Sequence, residues 1–579
     1  MSAGEAASLV EVRNLSIALP AGADRALAVD DVSFDIRQGE ILCIVGESGS
    51  GKSLTAAAIM RILPLAVRVR GGEVRIAGTD LLRLPEAEMR RWRGARIGMV
   101  FQEPMTALNP LMRIGRQIEE VLESHAVMAA AARRGRVGEL LRAVNLPSPE
   151  LLAEAYPFRL SGGQRQRVMI AMALALNPAL LIADEPTTAL DVTTQKQILQ
   201  LLQSLQRERR MGVLFITHDF GVVADIADRV AVMQHGRIVE QGTAGAILEA
   251  PQHPYTRSLI AAVPRLEARR QGCFTRPLLA VKDISRTFVS GAGLFVARRV
   301  VPAVRQVSLA IAEGETLGVV GESGSGKSTL GRLIIRLVKA DGGSVEFAGA
   351  DFLKARPARL KALRASVQMI FQDPYASLNP RRTVRQILTE GQTCHGVPAA
   401  EALDRARSLL ALVGMEEAVL GRYPHEFSGG QRQRIGIARA LALRPRLIIA
   451  DEPVSALDVS VQAQVLDLLK DVRQRFGLAM LFITHDLRVA AQVSDRIAVM
   501  QNGEIVETGP TAAIFQSPAH AYTRELLDAI PGRHWRPALG STAADAAQAG
   551  AAQAGAAQAG AAQAGAAQAG AAQPAAPEA

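Results

Sequence analysis

The chain has 579 residues, and 66 Lys and Arg against 56 Asp and Glu give it a formal net charge of +10 at pH 7. Hydrophobic residues make up 49% and charged residues 21%, which is typical of a globular protein and excludes a chain that is mostly disordered. The positive excess forms no concentrated basic arm. It fits contact with an anionic ligand or an anionic membrane surface, but it gives no support to nucleic-acid binding.

The three cysteines, Cys43, Cys273 and Cys394, are far apart and odd in number, which predicts neither disulfides nor a metal cluster. Cys43 is expected to be a small core residue of a strand. No uninterrupted apolar run reaches 18 residues, and the first ten residues lack the charged and apolar regions of a signal peptide. We therefore expect a cytoplasmic protein whose membrane association, if any, is peripheral.

The sequence GESGSGKS occurs twice, at 46–53 and at 321–328, and fits the phosphate-binding loop G-x-x-x-x-G-K-[ST]. An apolar run precedes each copy (41–45; 317–320) and a helical pattern follows it (54–63; 329–337). This strand, loop and helix order lets backbone N–H groups surround phosphate at a helix N-terminus. A Gly/Ser-rich turn is the alternative for a single copy, but two identical copies in this context predict two nucleotide sites.

The lysines of the loops are expected to reach the β- and γ-phosphates, and the final serines to hold Mg²⁺. The expected phosphate-binding residues are Gly46, Ser48, Gly49, Gly51, Lys52 and Ser53 in the first copy, and Gly321, Ser323, Gly324, Gly326, Lys327, Ser328 and Thr329 in the second.

Further along, the two halves repeat the same landmarks in the same order. Each half has an FQ[ED]P segment, a helical stretch (114–144; 384–413), an SGGQRQR segment, a buried strand ending in Asp-Glu-Pro, and another strand ending in Thr-His-Asp. Strands that are apolar without alternation indicate a parallel sheet covered on both faces, with ligands at its carboxyl edge. The Ser before each Gly pair is expected to cap the helix that follows.

The spacing of these landmarks supports a duplication. Asp184 follows Ser161 by 23 positions and Asp451 follows Ser428 by the same 23, and the histidines His218 and His485 follow those aspartates by 34. The distance from lysine to glutamine differs, 50 positions to Gln102 against 45 to Gln372. Insertions therefore fall in the segment between the phosphate loop and the glutamine, and not in the block from the signature serine to the histidine.

We predict a first domain over 9–264, a linker over 265–277, a second domain over 278–531 and a low-complexity tail over 542–579. The tail repeats AAQAG and has no large apolar side chain to bury, so it is expected to be disordered.

Taken together, from about residue 10 to 531, these motifs resemble the ATP-binding cassette (ABC) family. The resemblance implies an α/β fold of two P-loop NTPase domains in tandem, each with a RecA-like core, an antiparallel β subdomain and a helical subdomain that holds the signature. It also implies that the halves close head to tail, with each ATP between one phosphate loop and the other half's signature.

The resemblance assigns roles residue by residue. Glu185 and Glu452 would polarise the attacking water, His218 and His485 would contact the γ-phosphate, and Asp191 and Asp458 would lie in the loop that couples the two sites. The implied Mg²⁺ ligands are Ser53, Gln102, Asp184, Ser328, Gln372 and Asp451. The implied signature residues are Ser161, Gly163 and Gln164 for the second site, and Ser428, Gly430 and Gln431 for the first. Singly, each acid could be a helix cap and each histidine a core residue.

Two departures from the family pattern concern binding. Phe288 matches the aromatic residue that stacks on adenine, but the equivalent first-half residue is Leu19. Stacking contributes roughly 0.5 to 1.5 kcal/mol beyond area burial, so the first site is expected to bind ATP several-fold more weakly. The second signature opens with Phe427 in place of Leu, and Phe158-Arg159 replace the His-Glu of the second half's YPHE.

Finer motifs, including FQDPYASLNP and HPYTRSLIAAVP, resemble the dipeptide, oligopeptide and nickel uptake branch. The resemblance implies an ATP-hydrolysing motor of a peptide importer, at the cytoplasmic face of the bacterial inner membrane. Its expected partners are two integral membrane permeases and, indirectly, an extracytoplasmic peptide-binding protein, with no nucleic acid. The alternative is a soluble twin-cassette ATPase that acts on ribosomes or nucleic acid, but the short linker and isolated cysteines count against it. An exporter half is disfavoured because no membrane domain is found.

Overall fold

The computed structural model describes residues 8–23, 25–188, 190–264, 274, 276–290, 299–455 and 457–535. Most of the predicted linker and all of the predicted AAQAG tail lie outside these residues, so the domain boundaries stay predictions.

The first half contains two sheets and the helices that cover them. Its strands are β1 (Ser8–Ala18), β2 (Leu27–Arg37), β3 (Ile41–Val45), β4 (Arg68–Ile76), β5 (Thr79–Asp80), β6 (Ile97–Val100), β7 (Leu180–Asp184), β8 (Gly212–Thr217), β9 (Arg229–Gln234) and β10 (Arg237–Thr243). Its helices are α1 (Lys52–Met60), α2 (Glu86–Trp92), α3 (Pro104–Ala107), α4 (Ile114–His125), α5 (Ala130–Ala143), α6 (Pro149–Ala153), α7 (Gly162–Ala173), α8 (Val192–Arg209), α9 (Phe220–Ile226), α10 (Ala244–Glu249) and α11 (Pro254–Ala262).

The second half repeats this order. Its strands are β11 (Pro277–Ser290), β12 (Arg299–Ala312), β13 (Thr316–Val320), β14 (Gly342–Phe347), β15 (Ala350–Asp351), β16 (Val367–Ile370), β17 (Leu447–Asp451), β18 (Ala479–Ile483), β19 (Arg496–Gln501) and β20 (Glu504–Pro510). Its helices are α12 (Lys327–Ile334), α13 (Pro357–Ser366), α14 (Pro374–Ser377), α15 (Val384–Cys394), α16 (Ala399–Leu412), α17 (Gly429–Leu441), α18 (Val459–Phe476), α19 (Leu487–Val493), α20 (Thr511–Gln516) and α21 (Ala521–Asp528).

The central sheet of each half has six strands, in the order β10-β9-β3-β8-β7-β6 in the first half and β20-β19-β13-β18-β17-β16 in the second. Every pair of neighbouring strands is parallel except β10 with β9 in the first half and β20 with β19 in the second. All residues of β3, β7 and β8 are buried, as the unbroken apolar runs predict, and Cys43 is fully buried in β3. The fold class inferred from the sequence is confirmed.

Each half also has a four-stranded antiparallel sheet, in the order β2-β1-β4-β5 and β12-β11-β14-β15. Asn14 and Asp283 have positive φ (49° and 48°) at matching places in β1 and β11, which fixes the alignment of the two copies. By this alignment Leu19 is the counterpart of Phe288.

Helices α1 and α12 differ slightly from the predicted ranges. They begin at Lys52 and Lys327, two residues earlier than the patterns suggest, because Gly51 and Gly326 form the N-cap in the left-handed region. They also end three residues early, and α1 closes at Arg61, whose φ is 52°. The lysine of each loop is therefore the first residue of its helix, where the helix dipole favours anions.

The two halves are in direct contact. Val192 of the first half belongs to a hydrophobic cluster made mainly of second-half residues, and Val459 and Trp535 of the second half pack against the first-half core. Within the described part of the chain, no helix combines the length and apolar character that a membrane crossing requires.

Candidate nucleotide sites

Each phosphate loop connects a buried strand to a helix and requires glycine at its first position. Gly46 has φ of 154°, and a β-carbon there would lie 2.2 Å from the carbonyl oxygen of Met233. Gly321 has φ of 150°, and a β-carbon there would lie 2.1 Å from that of Met500. No side chain fits at either position. Each loop therefore lies directly against the strand that carries the methionine, which is β9 in the first half and β19 in the second.

The loop lysines are buried and already oriented along their loops. Lys52 Nζ donates to the carbonyl oxygens of Gly46 (2.7 Å) and Glu47 (2.8 Å). Lys327 Nζ makes the same two bonds, both at 2.7 Å, to Gly321 and Glu322. Burial lowers the pKa of both lysines, although the carboxylates around them oppose this shift. The ammonium groups thus sit inside the loops, next to the amides that phosphate would bind.

Next to each lysine, a serine hydroxyl and an aspartate carboxylate come together. Ser53 Oγ donates to Asp184 Oδ1 at 3.0 Å, and Ser328 Oγ donates to Asp451 Oδ1 at 2.7 Å. Burial raises the pKa of Asp184 to about 6, against the hydrogen bond from Ser53, and it raises the pKa of Asp451 as well. Burial thus disfavours the ionised form of both carboxylates, and the positive charge near them does not compensate for it.

This arrangement fits Mg²⁺. Asp451 Oδ2 is buried and has no hydrogen-bond partner, so a lone pair remains available to a cation. Hard oxygen ligands of this kind suit Mg²⁺, which usually takes one or two carboxylates and completes its shell with phosphates and water. Among the described residues no group of three or more His, Cys, Asp or Glu could hold a metal.

Glutamate, histidine and glutamine form one cluster in each half. Gln102 Nε2 donates to Glu185 Oε2 at 2.9 Å, and His218 Nδ1 lies 3.4 Å from the same oxygen. In the second half, Gln372 donates to Glu452 Oε2 at 2.9 Å, and His485 Nδ1 lies 3.1 Å from it. The glutamine–glutamate contacts join residues 83 and 80 positions apart, and the histidine–glutamate contacts join residues 33 positions apart. The parallel sheet thus assembles the three predicted groups at one edge.

Charge couples these groups. Burial would raise the pKa of Glu185, but the hydrogen bond and charge of His218, with Lys52, outweigh it and lower this pKa to about 2. Burial would lower the pKa of His218, and the bond and charge of Glu185 outweigh it, so this pKa is raised. The second half shows the same directions for Glu452 and His485. The glutamate is therefore held as a carboxylate, which is the form that can accept a proton from water.

The backbone of both glutamates is strained. Glu185 and Glu452 have φ of 45° and 46°, in the left-handed region that side chains other than Gly, Asn and Asp rarely adopt. Their N–H groups donate to Ile216 and Ile483 at 3.0 and 2.9 Å, which holds the turn in place. Strain of this kind typically persists at functional sites, where the surrounding structure enforces it.

The signature segments begin their helices as predicted. Ser161 caps α7 by accepting from Gln164 N–H, and the Gln164 side chain accepts from Ser161 N–H in return. Ser428 and Gln431 form the same capping box on α17. Gly163 lies against Thr194 of its own half, and Gly430 against Val461. In the described part of the chain, no hydrogen bond joins a signature to the other half's phosphate loop.

Among the described residues, four polar contacts join the halves elsewhere. They are Ser48 N–H to Asp458 Oδ1 (2.9 Å), Lys196 Nζ to the Asp528 carbonyl (2.8 Å), Arg488 Nη2 to Asp219 Oδ2 (3.0 Å) and Gly532 N–H to Asp225 Oδ2 (3.0 Å). A cavity of about 120 Å³ lies between the halves, and both His218 and His485 line it. The two clusters therefore face a common interface, and Asp458 lies next to the phosphate loop of the other half.

The adenine-stacking candidate lies on the antiparallel sheet. Phe288 is 39% exposed in β11, and the guanidinium of Arg286 lies 5.0 Å from its ring centre. Leu19, just after β1, is partly buried, and its N–H donates to the Ala26 carbonyl. The first half has no ring at this place.

Two tyrosines that the sequence analysis did not select also support the phosphate loops. The hydroxyl of Tyr255 accepts from Glu47 N–H at 3.2 Å, and that of Tyr522 accepts from Glu322 N–H at 3.1 Å. Tyr255 lies in the HPYT segment, which served only as a branch marker. The repetition of His-x-Tyr-Thr at 253–256 and 520–523 was the signal that could have identified both tyrosines.

Comparison with known proteins gives two family matches. The ABC transporter family matches residues 29–188 and 304–455, and the oligopeptide/dipeptide transporter C-terminal region matches 239–287 and 506–554. The described parts of the second match include both tyrosines that support the phosphate loops.

Similar proteins include the glutathione import ATP-binding proteins GsiA of Escherichia coli O157:H7 and of Escherichia coli strain K12. The first is 49% identical over 561 residues, covering 91% of this chain and 90% of that protein, and the second is 48% identical over 565 residues with the same coverage. A solved dimeric ATP-binding cassette with bound ADP and phosphate is 29% identical, with a TM-score of 0.37 over 40% of this chain and 99% of that one. Because each of the two family models matches the chain twice, and because relatives 48 to 49% identical cover 91% of it, the chain belongs to the ABC transporter family as an ATP-hydrolysing protein with two cassettes.

Proposed function

We propose that this chain is the ATP-hydrolysing subunit of a membrane importer for peptides, with glutathione or a di- or oligopeptide as cargo. The observation that carries the proposal is the 49% identity to glutathione import ATP-binding proteins along 91% of the chain, together with two copies of the oligopeptide/dipeptide transporter C-terminal region. The cargo itself would be bound by other subunits, so no residue of this chain selects it.

Both sites are proposed to hydrolyse ATP, because the cluster is complete in each half. The Lys52 and Lys327 ammonium groups would turn from the loop carbonyls to the β- and γ-phosphates. Phosphoryl transfer to water is mainly a matter of positioning and charge neutralisation, which a buried lysine at a helix N-terminus supplies. Mg²⁺, held by Ser53 with Asp184 and by Ser328 with Asp451, would neutralise phosphate charge when bound.

Glu185 and Glu452 would orient and deprotonate the attacking water. Their carboxylates hydrogen-bond to Gln102 and Gln372, so a glutamine that moves with the permease would free or restrain the carboxylate. The histidines would contact the γ-phosphate, since their side chains point to the same edge of the sheet. The signatures Ser161, Gly163 and Gln164, and Ser428, Gly430 and Gln431, would complete the opposite sites when the halves close.

The proposed partners are two integral membrane permeases, which would hold the chain at the cytoplasmic face of the inner membrane, and indirectly an extracytoplasmic peptide-binding protein. The working units would be the predicted domains over 9–264 and 278–531.

The test is ATP hydrolysis by the chain reconstituted with its permeases and binding protein, with glutathione and a panel of peptides. Peptide-loaded binding protein is expected to stimulate hydrolysis, and Glu185→Gln and Glu452→Gln each to remove much of the stimulated rate. Glu88→Gln, at an exposed position of α2, is the matched control and should have no effect. Hydrolysis that no peptide stimulates and that needs no permease would refute the importer and support a soluble twin-cassette ATPase.

A further inference from the structure

The aspartates of the two coupling loops make different hydrogen bonds. Asp191 caps its own helix α8, because its Oδ1 accepts from Thr194 N–H at 2.9 Å and its Oδ2 from the Thr194 hydroxyl at 3.1 Å. Asp458 stands at the same place before α18, yet its side chain makes no cap hydrogen bond. Instead it accepts from Ser48 N–H, in the phosphate loop of the other half, at 2.9 Å.

The reverse contact is missing among the described residues. No hydrogen bond joins Ser323 of the second phosphate loop to Asp191, although Asp191 lies close enough for its charge to act on Lys327. Asp458 acts on Lys52 in the same way. Both carboxylates therefore lie near the opposite loop, and the difference between them is the direction of their hydrogen bonds.

One substitution lies next to these aspartates. The third helical residue is Thr194 in α8 and Val461 in α18, and both contact the signature glycine of their own half. The nearest atoms to a β-carbon built on Gly163 would be Thr194 Cγ2 at 2.4 Å and Oγ1 at 3.7 Å, and for Gly430 they would be Val461 Cγ1 at 2.5 Å and Cγ2 at 3.9 Å. A methyl group of Val461 thus occupies the place of the Thr194 hydroxyl.

This methyl cannot donate a hydrogen bond, so Asp458 loses the side-chain donor that holds Asp191 against its helix. A carboxylate gains more from a hydrogen bond than a neutral acceptor does, and it will accept from another donor within reach. In the structure that donor is Ser48 N–H. We propose that Thr194 and Val461 are positioning residues that decide which phosphate loop is tied to the other half, so that only the first ATP site is braced across the interface before nucleotide binds.

The proposal rests on the proposed function only for its consequence in hydrolysis, because the hydrogen bonds themselves can be measured without ATP. Since Val461 and Thr194 also lie against the signature glycines, each links its signature to its coupling loop. Nucleotide bound to the second half's signature would then act on Val461, which is the residue that leaves Asp458 available to bind the first phosphate loop.

The first test is hydrogen exchange followed by mass spectrometry on the ATP-free chain. Val461→Thr is expected to return Asp458 to its own helix and to speed exchange in the 46–53 peptide by about fivefold, the effect of losing one net hydrogen bond. Thr194→Val is expected to slow exchange in the 321–328 peptide. Val461→Ala, which adds no hydroxyl, is the matched control and should leave the 46–53 peptide unchanged.

The second test separates the sites kinetically. In a Glu452→Gln background only the first site hydrolyses, and there Val461→Thr should raise KM for ATP by about fivefold with a smaller effect on kcat. In a Glu185→Gln background the same change should have no effect. Unchanged exchange in both loops, or equal effects of Val461→Thr and Val461→Ala, would overturn the proposal. Changed exchange in a chain that does not transport peptide would refute only the proposed function.

Discussion

Arg488 forms a buried ion pair between the halves, and its loss should destabilise the protein strongly. Its Nη2 lies 3.0 Å from Asp219 Oδ2 of the first half and its Nε 3.8 Å from Asp486 Oδ1, with only 12% of the Arg488 side chain exposed. Burial would raise the pKa of Asp219, but the charge of Arg488 outweighs it and lowers this pKa. The carboxylate is therefore ionised and depends on the arginine.

Arg488→Met would keep much of the apolar stem and leave Asp219 buried without its cation. Removing one partner of a buried pair costs about 3 to 5 kcal/mol, and the partial exposure of both side chains favours the lower value of about 3 kcal/mol. For units of 150 to 250 residues, 1 kcal/mol shifts Tm by about 2 to 4 °C, so the expected decrease in Tm is about 6 to 12 °C.

The assay is calorimetry at pH 7 of wild type, Arg488→Met, Asp219→Asn and the double variant, analysed as a double-mutant cycle. The double variant should be less destabilised than the sum of the singles, because neither partner is left charged and alone. Arg75→Met, in the exposed pair with Glu73, is the control and should cost less than about 1 kcal/mol. A Tm for Arg488→Met within about 2 °C of wild type, or strictly additive effects, would refute the reasoning.

Three further predictions concern the nucleotide sites. Glu185→Gln should lower the pKa of His218 in an NMR titration of the ATP-free chain, because burial then acts without the carboxylate, and an unchanged pKa would contradict the coupling. Since the folded pKa of His218 is raised and that of Glu185 is lowered, this pair should stabilise the protein fully between about pH 4.5 and pH 6.5. The stabilisation should decrease as the pH rises through the folded pKa of His218 and as it falls toward the folded pKa of Glu185. Tyr255→Phe and Tyr522→Phe should each weaken ATP binding about fivefold in calorimetric titrations, because a loop amide loses its acceptor, whereas Tyr423→Phe at a 42% exposed ring should change nothing. Leu19→Phe should tighten ATP binding at the first site by about twofold to tenfold if a ring at this place stacks on adenine, and equal affinities before and after would refute that assignment.

Local sequence patterns predicted the parts of the site that depend on chain order. The strand, loop and helix around Lys52 and the acids after β7 follow from apolar runs and their boundaries, because a parallel sheet brings the ends of its strands to one edge. The Ser161 cap follows from its position before two glycines. The contacts of Gln102 and His218 with Glu185 could be expected only through the resemblance, since nothing local indicates which strands are neighbours.

The contacts between the halves could not be read from the sequence. Whether Asp458 caps its helix or reaches Ser48 depends on how the two domains pack, because these two residues are 410 positions apart. The support of Glu47 by Tyr255 likewise joins residues 208 positions apart, and no periodicity marks it. Such contacts are set by tertiary distance, so the sequence offers only the small differences between its two copies as a guide.

One difference between the two copies, Gly221 against Arg488, shows how the interface pairs two unlike halves. Gly221 occupies in α9 the place of Arg488 in α19, and a β-carbon on Gly221 would lie 2.7 Å from Arg488 Nη1, so the two equivalent positions meet at the interface. Two second halves paired in this way would bury two guanidinium groups against each other, and two first halves would leave a pair of Asp219 carboxylates with no cation. Arg488 can neutralise both Asp219 and Asp486 only when a first half pairs with a second half. The ion pair therefore favours pairing of the two halves of one chain over pairing of two first halves or of two second halves.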